Sequence, residues 1–209
     1  MFLHKMGWIF QKVLYPSLTW SRYSSEKVIY LTFDDGPIPN LTEWVLDELE
    51  QFNAKATFFC VGDNIRKHPQ IFSRILEEKH KVGNHTFNHL NGWQTNDSEY
   101  FENIAQCDDS IENNSEIFTS LFRPPYGRIK KSQIESILPK KEIIMWDVLS
   151  GDFSQSITPE RCLHQSIRHT QKGSIIVFHD NLKAENNLKY VLPRYLKHFS
   201  KLGFEFRVL

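Results

Sequence analysis

The strongest constraint on the fold is a repeated exchange of short apolar runs for amphipathic segments. From Val28 onward, β-branched and aromatic runs read as strands: Val28–Phe33, Ala56–Cys60, Val82-Gly83, Leu121–Arg123, Glu142–Trp146, Ser174–Phe178 and Phe204–Val208. Between them, apolar residues recur at helical spacing over Leu41–Phe52, Pro69–His80, Asp97–Asn113, Lys131–Leu138, Pro159–Gln171 and Leu188–Lys201. Asn40 and Glu43 form a capping-box signature before the first helix, and Pro193 predicts a kink or break in the last. Strand–helix alternation of this kind implies parallel strands joined by helical crossovers. The expectation is an α/β fold, a distorted or incomplete (β/α) barrel of about seven parallel strands, with a doubly wound open sheet as the competitor. Polar residues favour the barrel. Asp34 and Asp35, His85, Arg123, Asp147 and Asp152, and His179 all fall just past strand ends, which a barrel gathers on one face.

The 209 residues are enough for one sizeable core, and two parts are expected: an N-terminal amphipathic segment over 1–24 packing on the barrel, and the barrel domain itself over 25–209. In the first part, Phe2, Leu3, Met6, Phe10, Val13 and Leu14 fall at helical spacing. The expectation is a helix covering one end of the core. The alternative is a peripheral membrane contact through residues 1–22, with Trp8 and Trp20 near the headgroups. No cleavable signal or spanning segment is visible, so a cytoplasmic or membrane-peripheral location is expected. Basic and acidic residues balance at 25 each, which leaves no basic face for nucleic acid. Cys60, Cys107 and Cys162 are odd in number and widely spread, and read as reduced packing residues.

Chemistry concentrates at the strand ends. Asp34 and Asp35 stand side by side before Gly36-Pro37, which cannot continue a strand. Two such charges raise each other's cost of ionising unless a cation lies beside them. His85 and His89, four apart, would share one face of a helical turn. With Asp35 they make a two-histidine, one-carboxylate set that leaves a position open, as a catalytic metal site requires. A non-haem iron triad uses the same residue types. Arg123, in Arg123-Pro124-Pro125-Tyr126-Gly127, offers a fixed fork for a carboxylate. Asp147, Asp152 or both follow the fifth strand, and His179 follows the sixth, where a general acid or base would stand. Trp93, in the turn after the histidine pair, and Tyr126, in the Arg123 loop, are the aromatic candidates for a ligand-facing surface, with packing the rival reading of Trp93.

Taken together, Thr32-Phe33-Asp34-Asp35-Gly36-Pro37, His85-Thr86-Phe87-Asn88-His89, the Arg123 loop, Asp152 and Val177-Phe178-His179 closely resemble the polysaccharide deacetylase family, carbohydrate esterase family 4. The resemblance runs from about Val28 to the C-terminus. It implies a metal-dependent hydrolase that removes acetyl groups from N-acetylated sugars. It implies Asp34 as base, Asp35, His85 and His89 as metal ligands, Arg123 as the residue orienting the base, and Asp152 as the acid holding the catalytic His179. Zinc is the expected ion, with cobalt or nickel able to substitute. Phe153 stands where the family carries tryptophan, and Val177 where it carries leucine. Both line the acetyl pocket in relatives, so these departures bear on substrate preference rather than on the reaction. Two rival readings are a non-catalytic carbohydrate-binding homologue and a metal-dependent amidohydrolase of a non-sugar substrate.

Overall fold

The computed structural model describes residues 4, 5, 7, 15–115 and 117–209. Its strands are β1 (Val28–Asp34), β2 (Ala56–Cys60), β3 (Lys81–Asn84), β4 (Leu121–Phe122), β5 (Glu142–Ile143), β6 (Val148–Leu149), β7 (Ile175–His179) and β8 (Glu205–Phe206). The helices are α1 (Leu41–Gln51), α2 (Gly62–Lys67), α3 (Pro69–Glu77), α4 (Asp97–Ser115), α5 (Lys131–Ile137), α6 (Pro159–His169) and α7 (Glu185–Lys201). Seven strands pair in parallel in the order β5-β4-β3-β2-β1-β7-β6, and β8 pairs with the start of β1. Asn40 N–H donates to the Glu43 carboxylate at 2.8 Å, so the start predicted for α1 is present.

The two edge strands of that order are neighbours in the chain. Ile144 N–H donates to Phe122 O at 2.8 Å beside β4, and Asp147 N–H to Ile175 O at 3.2 Å on β7. Three residue steps reach at most about 11 Å. In a flat sheet the outer strands of seven would stand about 29 Å apart. The sheet must therefore curl until its edges face each other, which gives the incomplete barrel and excludes the open sheet. Residues 19–22 run along the gap. Met145 N–H donates to Thr19 O at 2.7 Å, Thr19 N–H to Ile143 O at 3.0 Å, and Arg22 N–H to Gly173 O at 2.8 Å.

Two apolar layers follow from the period-two alternation of the strands. Ile29, Leu31 and Phe33 of β1 join the outer layer with Val45, Leu46 and Leu49 of α1 and Leu188, Leu192 and Leu196 of α7. Inside the curl, Phe59, Leu121, Ile144 and Ile175 pack together, with Tyr30 against them. Thr32 and Asp34 share that inward face of β1 with Tyr30. The three cysteines are buried and unpaired in disulfides.

Several expectations change. The fifth strand predicted over Glu142–Trp146 ends at Ile143 as β5, and a further short strand, β6, which the sequence reading lacked, begins at Val148 after the crossing. Asp147 consequently precedes a strand instead of following one. Its carboxylate accepts from Ile175 N–H and Ser174 Oγ, both at 2.9 Å, and pairs with Lys5 Nζ at 2.6 Å, all at the end of β7 away from His179. Burial pushes the Asp147 pKa up, and Lys5 opposes that rise. Pro193 lies inside a continuous α7, which also starts earlier than predicted. α2 has no counterpart in the sequence reading, because six residues are too few for a periodic pattern to emerge. Trp20 is 5% exposed and its indole N–H donates to Tyr15 O, which places it in the core rather than among headgroups. Phe2, Leu3, Met6, Trp8, Phe10, Val13 and Leu14 lie outside the described residues, so the predicted N-terminal helix does too. No described helix is long and apolar enough to cross a membrane.

Asp147→Ala is expected to strand Ser174 and the Ile175 N–H without an acceptor, at about 1–3 kcal/mol. Urea unfolding measures this; an unchanged midpoint would show that the carboxylate is dispensable there.

Candidate active site

Two strand ends present the carboxylates. Asp34 is the last residue of β1, and its register partners are Phe59 on β2 and His179 on β7. Arg123 reaches it from the end of β4. The guanidinium is fully buried, and Nη1 donates at 2.7 Å to both Asp34 Oδ1 and Thr32 Oγ1. Nε donates to Ile144 O at 3.1 Å and Nη2 to Met145 O at 2.9 Å, while the plane covers the Phe59 ring at 4.1 Å. Burial pulls the Arg123 pKa down, and Asp34 resists that fall. Asp34 Oδ2 receives no hydrogen bond from any described residue.

Asp35 turns away from the strand with φ 83°. Its Oδ2 accepts from Asn181 Nδ2, and its Oδ1 is buried without a hydrogen-bond donor. That oxygen faces His89 Nε2 at 3.0 Å and His85 Nε2 at 3.5 Å. His85 Nδ1 lies 2.7 Å from Arg123 O. A carbonyl can only accept, so Nδ1 carries a proton, and Nε2 is the nitrogen turned to the carboxylate oxygen, with a lone pair to offer when the ring is neutral. Bringing electron pairs together in a buried place is unfavourable unless a cation lies between them. The ligand atoms of Asp35, His85 and His89 all fall within 4.8 Å of one another, so the three residues suit an ion of the kind the sequence implied. Burial alone would raise the Asp35 pKa. Where no cation is bound, the two imidazoles in their protonated form and the charge on His179 outweigh it and hold the carboxyl well below its usual range.

The route by which the histidines meet differs from the expectation. Residues 85–89 are not a helical turn: Thr86 and His89 both adopt left-handed backbone, φ 62° and 57°. Thr86 N–H donates to Asn84 Oδ1 and Leu90 N–H to Thr86 Oγ1, while Phe87 N–H is held by Asn103 O on α4. Those bonds favour an irregular loop and still leave the rings 5.1 Å apart. Tyr126, at φ 61°, places its hydroxyl 3.1 Å from His89 Nδ1.

On the other flank, His179 Nδ1 lies 2.8 Å from Asp152 Oδ1, and Asp152 Oδ2 accepts the His179 backbone N–H at 2.8 Å. Burial works against charge on this imidazole. The fully buried Asp152 carboxylate, with Asp35 and Asp34 beyond it, overcomes that and lifts the pKa to about 9. Phe153 stands edge-on to the ring at 5.1 Å, and Val177 lies two residues earlier on the same face of β7. Trp93 is 57% exposed; its indole N–H donates to Ile129 O and Arg128 lies over its ring, so it makes no hydrogen bond to the cluster.

Three contributors were not singled out from the sequence: Thr32, Asp180 and Asn181. Asp180 is fully buried and accepts from Gly36 N–H at 3.1 Å and from Thr42 Oγ1, tying the loop after β1 to α1. Burial carries its pKa up to about 8. A Cβ on Gly36 would lie 2.0 Å from the Asp180 carboxylate, so only glycine fits. Adjacency to His179 was the available signal for Asp180 and Asn181; Thr32 stood at the head of the Thr32–Pro37 motif but was given no role of its own.

The family described as polysaccharide deacetylase matches residues 21–138. A peptidoglycan-N-acetylglucosamine deacetylase of Bacillus cereus is 31% identical over 209 aligned positions, covering 95% of this chain and 94% of that protein. A second B. cereus protein of the same name is 34% identical over 152 positions, where the match spans 72% of this chain and 55% of the relative. The crystal structure of the Bc1960 peptidoglycan N-acetylglucosamine deacetylase, bound to a hydroxamate-type ligand, superposes with a TM-score of 0.88 at 28% identity, over 96% of this chain and 94% of that one.

The raised His179 pKa has a testable sign. A folded value of about 9 exceeds the ordinary 6.5 of the unfolded chain, so this group stabilises the fold fully below pH 6.5 and the contribution disappears as pH rises through 9. In chelator-treated protein, NMR titration of His179 should give an apparent pKa near 9, falling towards or below 6.5 in Asp152→Asn. An unshifted value in wild type would contradict the charge pairing.

Proposed function

The chain belongs to the polysaccharide deacetylase family, and from that premise we propose that it is a metal-dependent hydrolase cleaving the N-acetyl amide of an N-acetylated sugar polymer. The observation that carries this reading is the unpartnered Asp35 Oδ1 facing two imidazole nitrogens, with the Arg123-held Asp34 beside it. Asp35, His85 and His89 would hold a divalent cation, zinc in the first instance and cobalt or nickel as substitutes. When bound, that ion supplies Lewis acidity, polarising the acetyl carbonyl and acidifying water at the site to a pKa of about 7.

The chain's own residues account for the proton transfers. Arg123 takes up Asp34 Oδ1 and leaves Oδ2 to remove a proton from the attacking water. A carbon–oxygen bond forms at the carbonyl carbon, and a backbone N–H near Tyr126 is the candidate donor to the resulting oxyanion. The carbon–nitrogen bond then breaks. An amine leaves poorly as an anion, so it must be protonated. His179, charged below pH 9 and steadied through Nδ1 by Asp152, gives that proton from Nε2. The products are acetate and a free amino sugar. Phe153 and Val177 would border the acetyl group, and Tyr126 and Trp93 would face the sugar.

The B. cereus relatives are named for N-acetylglucosamine of peptidoglycan, which makes that glycan the first substrate to assay and acetylated chitooligosaccharides the second. Acetate release should vanish with chelator and return with zinc, cobalt or nickel. Asp34→Asn and His179→Ala should each bind zinc yet lose about 10²–10⁴-fold in turnover. His85→Ala should lose zinc affinity itself. Zinc and sugar binding with no acetate released from either glycan would favour the non-catalytic homologue, and release only from non-sugar amides the other amidohydrolase.

A further inference from the structure

We propose that Asn181 is a positioning residue for Asp35, committing one carboxylate oxygen to a protein donor and reserving the other for the cation; this rests on reading Asp35, His85 and His89 as the ligands. Asn181 lies two residues past His179, in the loop between β7 and α7. Its Nδ2 donates to Asp35 Oδ2, and its Oδ1 accepts from Ala184 N–H at 3.0 Å. A backbone N–H can only donate, so the atom turned towards Ala184 is the oxygen and the atom turned towards Asp35 is the amino group. Reversing the amide would set an oxygen against the carboxylate and take the acceptor from Ala184. The orientation of the donor is therefore built into the start of α7.

Among the described residues other than the candidate ligands themselves, Asn181 is the only hydrogen-bond donor to the Asp35 side chain. Asn64 Nδ2 holds the Asp35 backbone carbonyl at 2.7 Å but leaves the carboxylate free to rotate. Rotation is what Asn181 stops. With Oδ2 engaged, Asp35 offers Oδ1 alone. A carboxylate turning both oxygens to the ion would occupy a second position, and a catalytic site keeps such a position for water or substrate. Because the same loop carries His179, the donor also ties the placement of the candidate acid to the placement of a candidate ligand.

The rival account is that Asn181 merely begins α7. Two substitutions separate them. Asn181→Asp keeps an oxygen for Ala184 N–H and replaces the donor with a second oxygen. Asn181→Ser also keeps a helix-start acceptor, but its side chain is too short to replace the amide at Asp35. Zinc titration of chelator-treated full-length protein by calorimetry, alongside urea unfolding, reads both roles. Each variant is expected to lose about 10–100-fold in zinc affinity, the usual cost of removing a partner of a ligand. Their unfolding midpoints in the absence of zinc should stay near wild type. Zinc affinity within twofold of wild type in both variants would overturn this inference alone. No zinc uptake by wild-type protein would overturn the ligand reading and this one with it.

Discussion

A guanidinium with no exposure to water holds the candidate-site end of the barrel together. Arg123 binds Asp34 and Thr32 of β1 through Nη1, and the crossing between β5 and β6 through Ile144 O and Met145 O. Its own carbonyl sets the tautomer of His85. One residue thus links the candidate base, a candidate ligand and the segment that makes the sheet curl. Burying such a cation costs several kcal/mol unless its donors are matched. Nη1, Nη2 and Nε all have acceptors here, and Phe59 covers the plane. The arrangement tolerates no lysine, whose point charge cannot serve three separated acceptors in one plane.

Around that anchor, four carboxylates are gathered at the ends of three neighbouring strands, and each meets a different environment. Asp34 has the guanidinium, Asp35 the imidazoles, Asp152 the His179 ring, and Asp180 only neutral donors. The consequences are opposite in sign. The imidazoles keep Asp35 ionised, whereas burial with neutral partners carries Asp180 up to about 8. Asp180 is thereby suited to fixing backbone, and Asp34 and Asp35 to handling charge. Several loop residues of the site also sit in left-handed backbone without being glycine: Asp35, His89 and Tyr126. Each such conformation costs about 1–3 kcal/mol and persists only when its surroundings over-determine it. Asn64, Asn103 and Asn181 supply those surroundings from neighbouring loops and helices.

Much of this was legible in the residues. Ala56–Cys60 was read to the residue, because an uncharged aromatic run that follows Lys55 and is soon closed by Gly62-Asp63 has few alternatives as a buried strand. The pairing of Asp35 with His85 and His89 was legible in kind, since few other sets of three side chains serve one ion. The helical explanation of the His85–His89 spacing failed. Local spacing cannot reveal that Asn84 and Asn103 draw the backbone into a loop instead. Asp147 misled for a related reason: whether an acid follows one strand or precedes the next depends on where the ladder breaks, and that break is made by partners far away in the chain.

By itself the sequence determined which residue types would lie past the strand ends and that the strands would run parallel. Both follow from short-range pattern, an alternation of two against a period of 3.6. Only the tertiary structure decided that β5 and β6 face each other across a gap, and that Asn181 rather than solvent meets Asp35. Asn181 and Asp35 stand 146 positions apart, and both arrangements depend on how far the whole sheet curls rather than on local pattern.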